Sequence, residues 1–187
     1  MIITSLTHHA LTQHAARALG ILGAYWASLV RQGDLPLWSE VDPGQIQDAL
    51  DHAFLAERFG HCHARIRVAG GAVEEMAGKP CKGLPLSLLI RANDRAVFNE
   101  AVSACCIAGH PVEIALTSEE DVAKSEISAR LVLYPLRDST GRVAQFLGGL
   151  APVGNAIYRP GPFGVVEVMT DCTPSHRSRL RLVVDNT

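Results

Sequence analysis

The stretch ISARLVLYPLRDSTGRVAQFLGGLAP, residues 127–152, constrains the fold more than any other part of the chain. Two runs of nearly period-two hydrophobic pattern flank the short turn STG. A turn that tight joins antiparallel neighbours and leaves no room for a crossover helix. In the first run Ala129, Leu131 and Leu133 share a face until Pro135 interrupts it, and Tyr134 falls on the opposite face. In the second, Phe146 and Gly148 alternate with Gln145 and Leu147. A third alternating run, PVEIALTS at 111–118, precedes them with Val112, Ile114 and Leu116 in phase.

Upstream, FLAERF (54–59) and HARIRVAG (63–70) form another hairpin across GHCH. Ala64, Ile66 and Val68 alternate there with Arg65 and Arg67, the pattern of a half-buried strand. Between this hairpin and the three later strands lie only helical signals. Residues 73–78 give one or two turns, and LPLSLLI gives a short apolar step. A longer helix over 92–108 is capped by Asn93 or Asp94 and stopped by Gly109. Its face is Val97, Phe98, Ala101, Val102, Cys105 and Cys106. The fold class predicted is therefore α+β: a five-stranded antiparallel sheet with short helices on one face.

Residues 5–32 read as a first helix striped with Leu19, Leu22, Trp26, Leu29 and Val30 and stopped by Gly33 and Pro36. That stripe serves equally well against the chain's own sheet or against the same helix of a second copy. Asp42-Pro43 starts a second, short helix, with the carboxylate at the cap and proline in the first turn. The organisation expected is a helix over 1–35 for packing or dimerisation, a domain over 36–154, and an extension over 155–187. In that extension VVEVM and LRLVVD are candidates for extra strands or strand-like arms.

The 187 residues carry 17 basic and 19 acidic side chains, a formal net charge of -2, too little positive charge for a general nucleic-acid binder. The largest basic cluster is SHRSRLR, 175–181. Five cysteines, Cys62, Cys81, Cys105, Cys106 and Cys172, are odd in number and lack zinc spacing. They read as small hydrophobes in a reducing cytoplasm, and no signal peptide or 18-residue apolar run is visible.

A search for chemistry finds no converging set. His8, His9 and His14 lie on the first helix without H-x-x-x-H spacing. His61 and His63 flank Cys62 across a turn, a weak three-ligand arrangement set against an exposed polar turn. His110 follows the long helix in a connection, not on the inward face with Phe98 and Val102, and so is a poor haem ligand. Ser87, Ser103 and Ser175 lack a nucleophile elbow, and adjacent Glu74 and Glu75 diverge. Cys81 in VEEMAGKPCKG lacks the polar surroundings of a flavin photoreceptor. No catalytic residue, metal ligand or cofactor is predicted.

The order of elements resembles a PAS domain. The stretches YWASLVRQGDLPLWSEVDPGQI (25–46), FLAERFGHCHARIRVAGGAVEEMAGKPCKGLPLSLLI (54–90) and VLYPLRDSTGRVAQFLGGL (132–150) resemble an alphaproteobacterial PAS-like subgroup. On that pattern Trp26 belongs to the first helix, Pro36 and Asp42-Pro43 come before the second, Arg67 lies near the end of the second strand, and Ala69 and Gly70 lie at the turn. Gly78 follows the small helix, Gly83 sits before the connecting helix, and Pro135 and Leu136 sit in the fourth strand. Gly71 departs from the pattern, since members commonly place a threonine or a similar residue there.

The resemblance implies a noncatalytic sensory or protein-interaction module of bacterial cytoplasmic signalling. It is expected to act through a homodimer or a protein partner, without nucleic acid or membrane. A curved sheet roofed by helices leaves room for a cavity. Its candidate lining is Ile66 and Val68 from the hairpin, and Met76, Leu86, Phe98 and Val102 from the helices. Ile114, Leu131, Leu133 and Phe146 come from the later strands. Two alternatives stand beside this reading: a small-molecule or haem sensor, and a transcriptional regulator touching DNA through 175–181.

Overall fold

A computed structural model describes residues 2–61, 63–119, 126–153 and 159–170, with side chains from residue 14 onward. The segments SHRSRLR and LRLVVD, and with them the DNA-contact reading, lie outside the described residues, as do Cys62 and Cys172.

Six strands form one antiparallel sheet: β1 (Ala53–Phe59), β2 (His63–Ala69), β3 (Val112–Thr117), β4 (Ala129–Arg137), β5 (Val143–Pro152) and β6 (Gly164–Thr170). Their spatial order is β2-β1-β5-β4-β3-β6. The expectation of five strands is corrected to six. VVEVM, a candidate arm in the sequence, pairs along β3 from Thr117↔Gly164 to Val112↔Thr170 and becomes the sheet's edge.

Three α-helices accompany the sheet: α1 (Ile2–Leu29), α2 (Gly71–Ala77) and α3 (Arg95–Ala108). Shorter 3-10 segments occupy Trp38–Glu40, Pro43–His52, Leu86–Leu89 and Ala92–Asp94. Pro43–His52 begins as its sequence demands: the Asp42 carboxylate accepts a 2.9 Å hydrogen bond from the Gly44 N–H. Asp94 precedes α3 but does not cap it; its carboxylate accepts instead from the Val165 N–H of β6, at 3.1 Å.

Helices cover both faces of the sheet, not one. On the inner face α2, α3 and the 3-10 segment at Leu86–Leu89 bury Met76, Leu86, Phe98 and Val102 against Ile66, Ile114, Leu131 and Phe146. On the outer face α1 lays Ala18, Leu22 and Trp26 over Val132, Tyr134, Leu136 and Leu147. The α1 stripe is thus engaged by the chain's own sheet. Strand alternation supplies both cores from the same strands, because successive side chains of β4 point to opposite faces.

Two glycine positions fix this architecture. Gly70 follows β2 at an ordinary negative φ, so the requirement there is close approach. A methyl group at Gly70 would overlap the carbonyl oxygens of Leu50 and Asp51, and the Gly70 N–H donates to Ala53 at 2.8 Å. Gly149 of β5 serves the outer face, where a Cβ would stand 2.7 Å from the Leu19 and Leu22 methyl carbons. α1 seats on β5 because that strand offers no side chain there.

Candidate functional site

Nine of the ten residues expected to line an interior lie within a single buried cluster between sheet and helices. Val68 does not: it is 61% exposed. The cause is a bulge. β1 and β2 pair as Leu55↔Val68 and then Ala56↔Ile66, leaving Arg67 as an extra residue on β2. One extra residue reverses the alternation beyond it. Ile66 therefore points inward, Val68 outward, and Ala69 packs against the inner cluster in its place.

The interior is apolar. Cys81 and Cys105 are fully buried thiols, and burial pushes both up from the ordinary thiol range, Cys105 strongly. Thiols held protonated in this way are poor nucleophiles. Cys105 Sγ faces the Leu133 carbonyl at 3.9 Å. The polar groups at the rim are satisfied: Ser128 Oγ accepts from the Ser118 N–H at 2.8 Å, and Thr117 Oγ1 from the Glu119 N–H at 3.1 Å. Such surroundings can hold an apolar molecule reversibly, by burial and shape, and supply no acid, base or charged anchor.

The His14 and His52 rings lie with centroids 6.4 Å apart. The His63 ring stacks on Phe59 with centroids 5.4 Å apart, at the exposed end of the β1–β2 hairpin. His110 is exposed in the connection between α3 and β3, away from the interior. Among the described residues no group of three or more His, Cys, Asp or Glu side chains is placed to hold a metal.

A second concavity lies on the opposite face. Between α1 and the outer side of the sheet runs a cleft of about 460 Å³, lined on the helix by Ala16, Leu19, Gly20, Gly23, Ala24, Trp26 and Ala27. The sheet side presents Val132 and Tyr134, with the Glu113–Arg130 ion pair at the rim. Sequence reasoning placed the stripe on α1 but not the cleft. The small residues beside the stripe were the available signal.

These two regions share one strand from opposite faces. Leu131 and Leu133 of β4 stand in the inner core, while Val132, Tyr134 and Leu136 of the same strand stand under α1. A displacement of β4 is felt on both sides, because both cores are close-packed.

Comparison with known proteins adds the following. The family described as PAS domain matches residues 13–151. One similar solved structure bears the description "Flavin Analogue Sheds Light on Light-Oxygen-Voltage Domain Mechanism"; it is 19% identical, with a TM-score of 0.44, over 59% of this chain and 83% of that one. No curated protein matches the sequence. Among the described residues no helix is long and apolar enough to cross a membrane.

Proposed function

Because the chain belongs to the PAS domain family, whose members are noncatalytic sensory modules, we propose that it is a small-molecule sensor: an apolar ligand is its input and α1 its output. The single observation that carries this reading is the division of β4. Leu131 and Leu133 line the interior where a ligand would lodge, and Val132, Tyr134 and Leu136 form the seat of the helix. Ligand entry that repacks Leu131, Leu133, Phe98 and Phe146 changes the seat of α1 through one strand, with no separate relay.

The ligand class follows from the lining. With hydrocarbon side chains and protonated thiols around it, the site favours an uncharged, largely apolar molecule. Entry requires the roof to yield. α2 and the 3-10 segments are short, so few hydrogen bonds hold them, and such elements open at low cost.

The output belongs to the α1 face. The cleft beside α1, with its small residues, suits a second copy of this chain or another protein, which keeps the homodimer within the proposal. The division into an output helix over 1–35, a sensing domain over 36–154 and an extension over 155–187 belongs to it as well. So do the kinship with the alphaproteobacterial PAS-like subgroup and a place in cytoplasmic signalling. The test is direct. Protein purified from its natural source is denatured and the released small molecules identified by mass spectrometry, and the emptied protein is screened for thermal stabilisation by uncharged apolar compounds. A released or stabilising apolar ligand supports the reading; neither, across a broad panel, removes it.

A further inference from the structure

The inner core contains a side chain that the sheet-and-helix plan does not require. Phe163 is fully buried, in the same cluster as Met76, Leu89, Phe98 and Phe146. It comes from the segment before β6, beyond residues 13–151 that the family matches. The chain reaches the interior there through PGPF, 160–163.

The backbone of this segment is tied to the roof. Pro160 and Pro162 have no N–H to give, so the segment has two donors, and both are spent on the inner helical layer. Gly161 N–H donates to the Met76 carbonyl of α2 at 3.0 Å, and Phe163 N–H to the Leu89 carbonyl at 2.8 Å. The Phe163 carbonyl accepts from Arg91 at 2.9 Å, closing a short parallel bridge with Ile90. Val165 N–H then takes the Asp94 carboxylate, the group drawn away from the start of α3. Beyond Val165 the strand pairs only with β3, as an edge.

These features describe a strap. It crosses the roof, is held there by a handful of hydrogen bonds to turns and short helices, continues into the β3–β6 ladder, and carries one aromatic ring into the interior. We infer that Phe163 is the resident occupant of the sensor's interior and that residues 160–165, the part tied to the roof, are its gate. A planar, uncharged apolar molecule takes the place of the Phe163 ring, and the strap lifts from Met76, Leu89 and Asp94 as it enters. This rests on the small-molecule reading above and adds to it the ligand's shape and the element that admits it. No covalent step is involved. The ring leaves, the ligand enters, and the hydrogen bonds of the strap pass to water. Attachment to α2 and to the turn before α3 makes strap release a change in the roof as well as in β6.

The test uses toluene as the probe, measured by calorimetry and by NMR exchange. Two proteins are compared with the unaltered chain: Phe163→Ala, which empties the slot, and a Thr117→Cys, Gly164→Cys pair. Those two positions face each other across β3 and β6 beside Phe163, so their disulfide pins the strap. The account expects Phe163→Ala to bind toluene saturably and at least roughly tenfold more tightly than the unaltered chain, as apolar cavities do. It expects the pinned chain to take up toluene at least about tenfold more slowly than the same protein after reduction. If Phe163→Ala does not unfold cooperatively, Phe163→Leu carries the same measurement.

Failure separates cleanly. No toluene binding by any form, with folding intact, removes the interior site and the sensor reading with it. Equal uptake by pinned and reduced protein leaves the sensor reading standing and overturns the gate. Binding by Phe163→Ala alone, with none by the unaltered chain at saturation, makes the ring a fixed part of the core and also overturns the gate.

Discussion

The indole Nε1 of Trp26 donates a 2.9 Å hydrogen bond to the main-chain carbonyl of Pro135, 109 residues away. This bond joins α1 to the sheet where β4 has run past β3. Pairing between those strands stops at Val112↔Leu133, and Pro135 lies beyond it. A proline is tolerated there because no ladder partner calls for its missing N–H. Trp26 also stacks on Tyr134, with centroids 5.6 Å apart.

Trp26→Phe keeps most of the apolar area and deletes the donor. Urea unfolding should show a loss of about 1–3 kcal/mol, the cost of stranding a buried carbonyl. Trp26→Ala, which also leaves a cavity, should lose roughly 3–5 kcal/mol. Equal stabilities for Trp26→Phe and the unaltered chain would mean that the bond contributes nothing.

Two neighbouring glycines should respond in opposite directions. Gly70→Ala forces a methyl into the Leu50 and Asp51 carbonyls, and backbone cannot step aside as a side-chain tip can. A loss above about 3 kcal/mol, or failure to fold, is expected. At Gly71 a methyl meets nothing within 4 Å, and the residue opens α2 without positive φ. Gly71→Ala should be neutral or raise stability by about 0.4–1 kcal/mol. Thermal unfolding of the two variants side by side checks both.

The Arg67 bulge makes its own prediction. Ile66→Ala removes a buried side chain and should lose roughly 2–5 kcal/mol. Val68→Ala, on the outward side of the bulge, should lie within about 0.5 kcal/mol of the unaltered chain. Similar large losses at both would place Val68 inside and refute the register.

His52 should make stability depend on pH. Burial holds its pKa below the ordinary 6.5; the Leu150 carbonyl, which accepts from Nδ1 at 3.1 Å, works against burial, the nearby His14 reinforces it, and Asp51 opposes it. A histidine depressed in the folded state binds its proton more readily when unfolded. The stabilisation is therefore fully present above pH 6.5 and is lost as the pH falls through 6.5 toward the lower folded value. Urea midpoints measured from pH 7.5 to 5 should fall, and His52→Gln should flatten that fall. An unchanged slope in the variant would assign the effect elsewhere.

Much of the architecture was legible because period and punctuation agree. The turn at 139–141, the Gly109 stop and the Phe98–Val102–Cys105 face of α3 all stand in the fold where the pattern puts them. Three features were not legible, each for a physical reason. The bulge at Arg67 leaves a sequence in which Ile66 and Val68 still look in phase, so nothing local marks the reversal. The partner of the α1 stripe is undetermined by the stripe itself, since any apolar surface satisfies it; the small residue at Gly149, which lets Leu19 and Leu22 sit down on β5, is far away in sequence. Phe163 reaches the interior through the bond of Gly161 to Met76 and its own bonds to Leu89 and Arg91, all more than 70 residues upstream. A proline-rich approach to a strand gives no hint of that route.

The most direct test of the central claim follows Trp26 while the interior is filled. The chain has two tryptophans, and Trp38 is 40% exposed, so Trp38→Phe leaves Trp26 as the only reporter, stacked on Tyr134 at the far side of β4. Toluene, or the natural ligand once identified, is titrated into this protein with calorimetry and Trp26 emission recorded together. Coupling through β4 predicts that emission wavelength or intensity changes with the same saturation curve as the heat. Heat of binding with Trp26 emission unchanged from empty to saturated would contradict it, and would leave α1 without a share in the response.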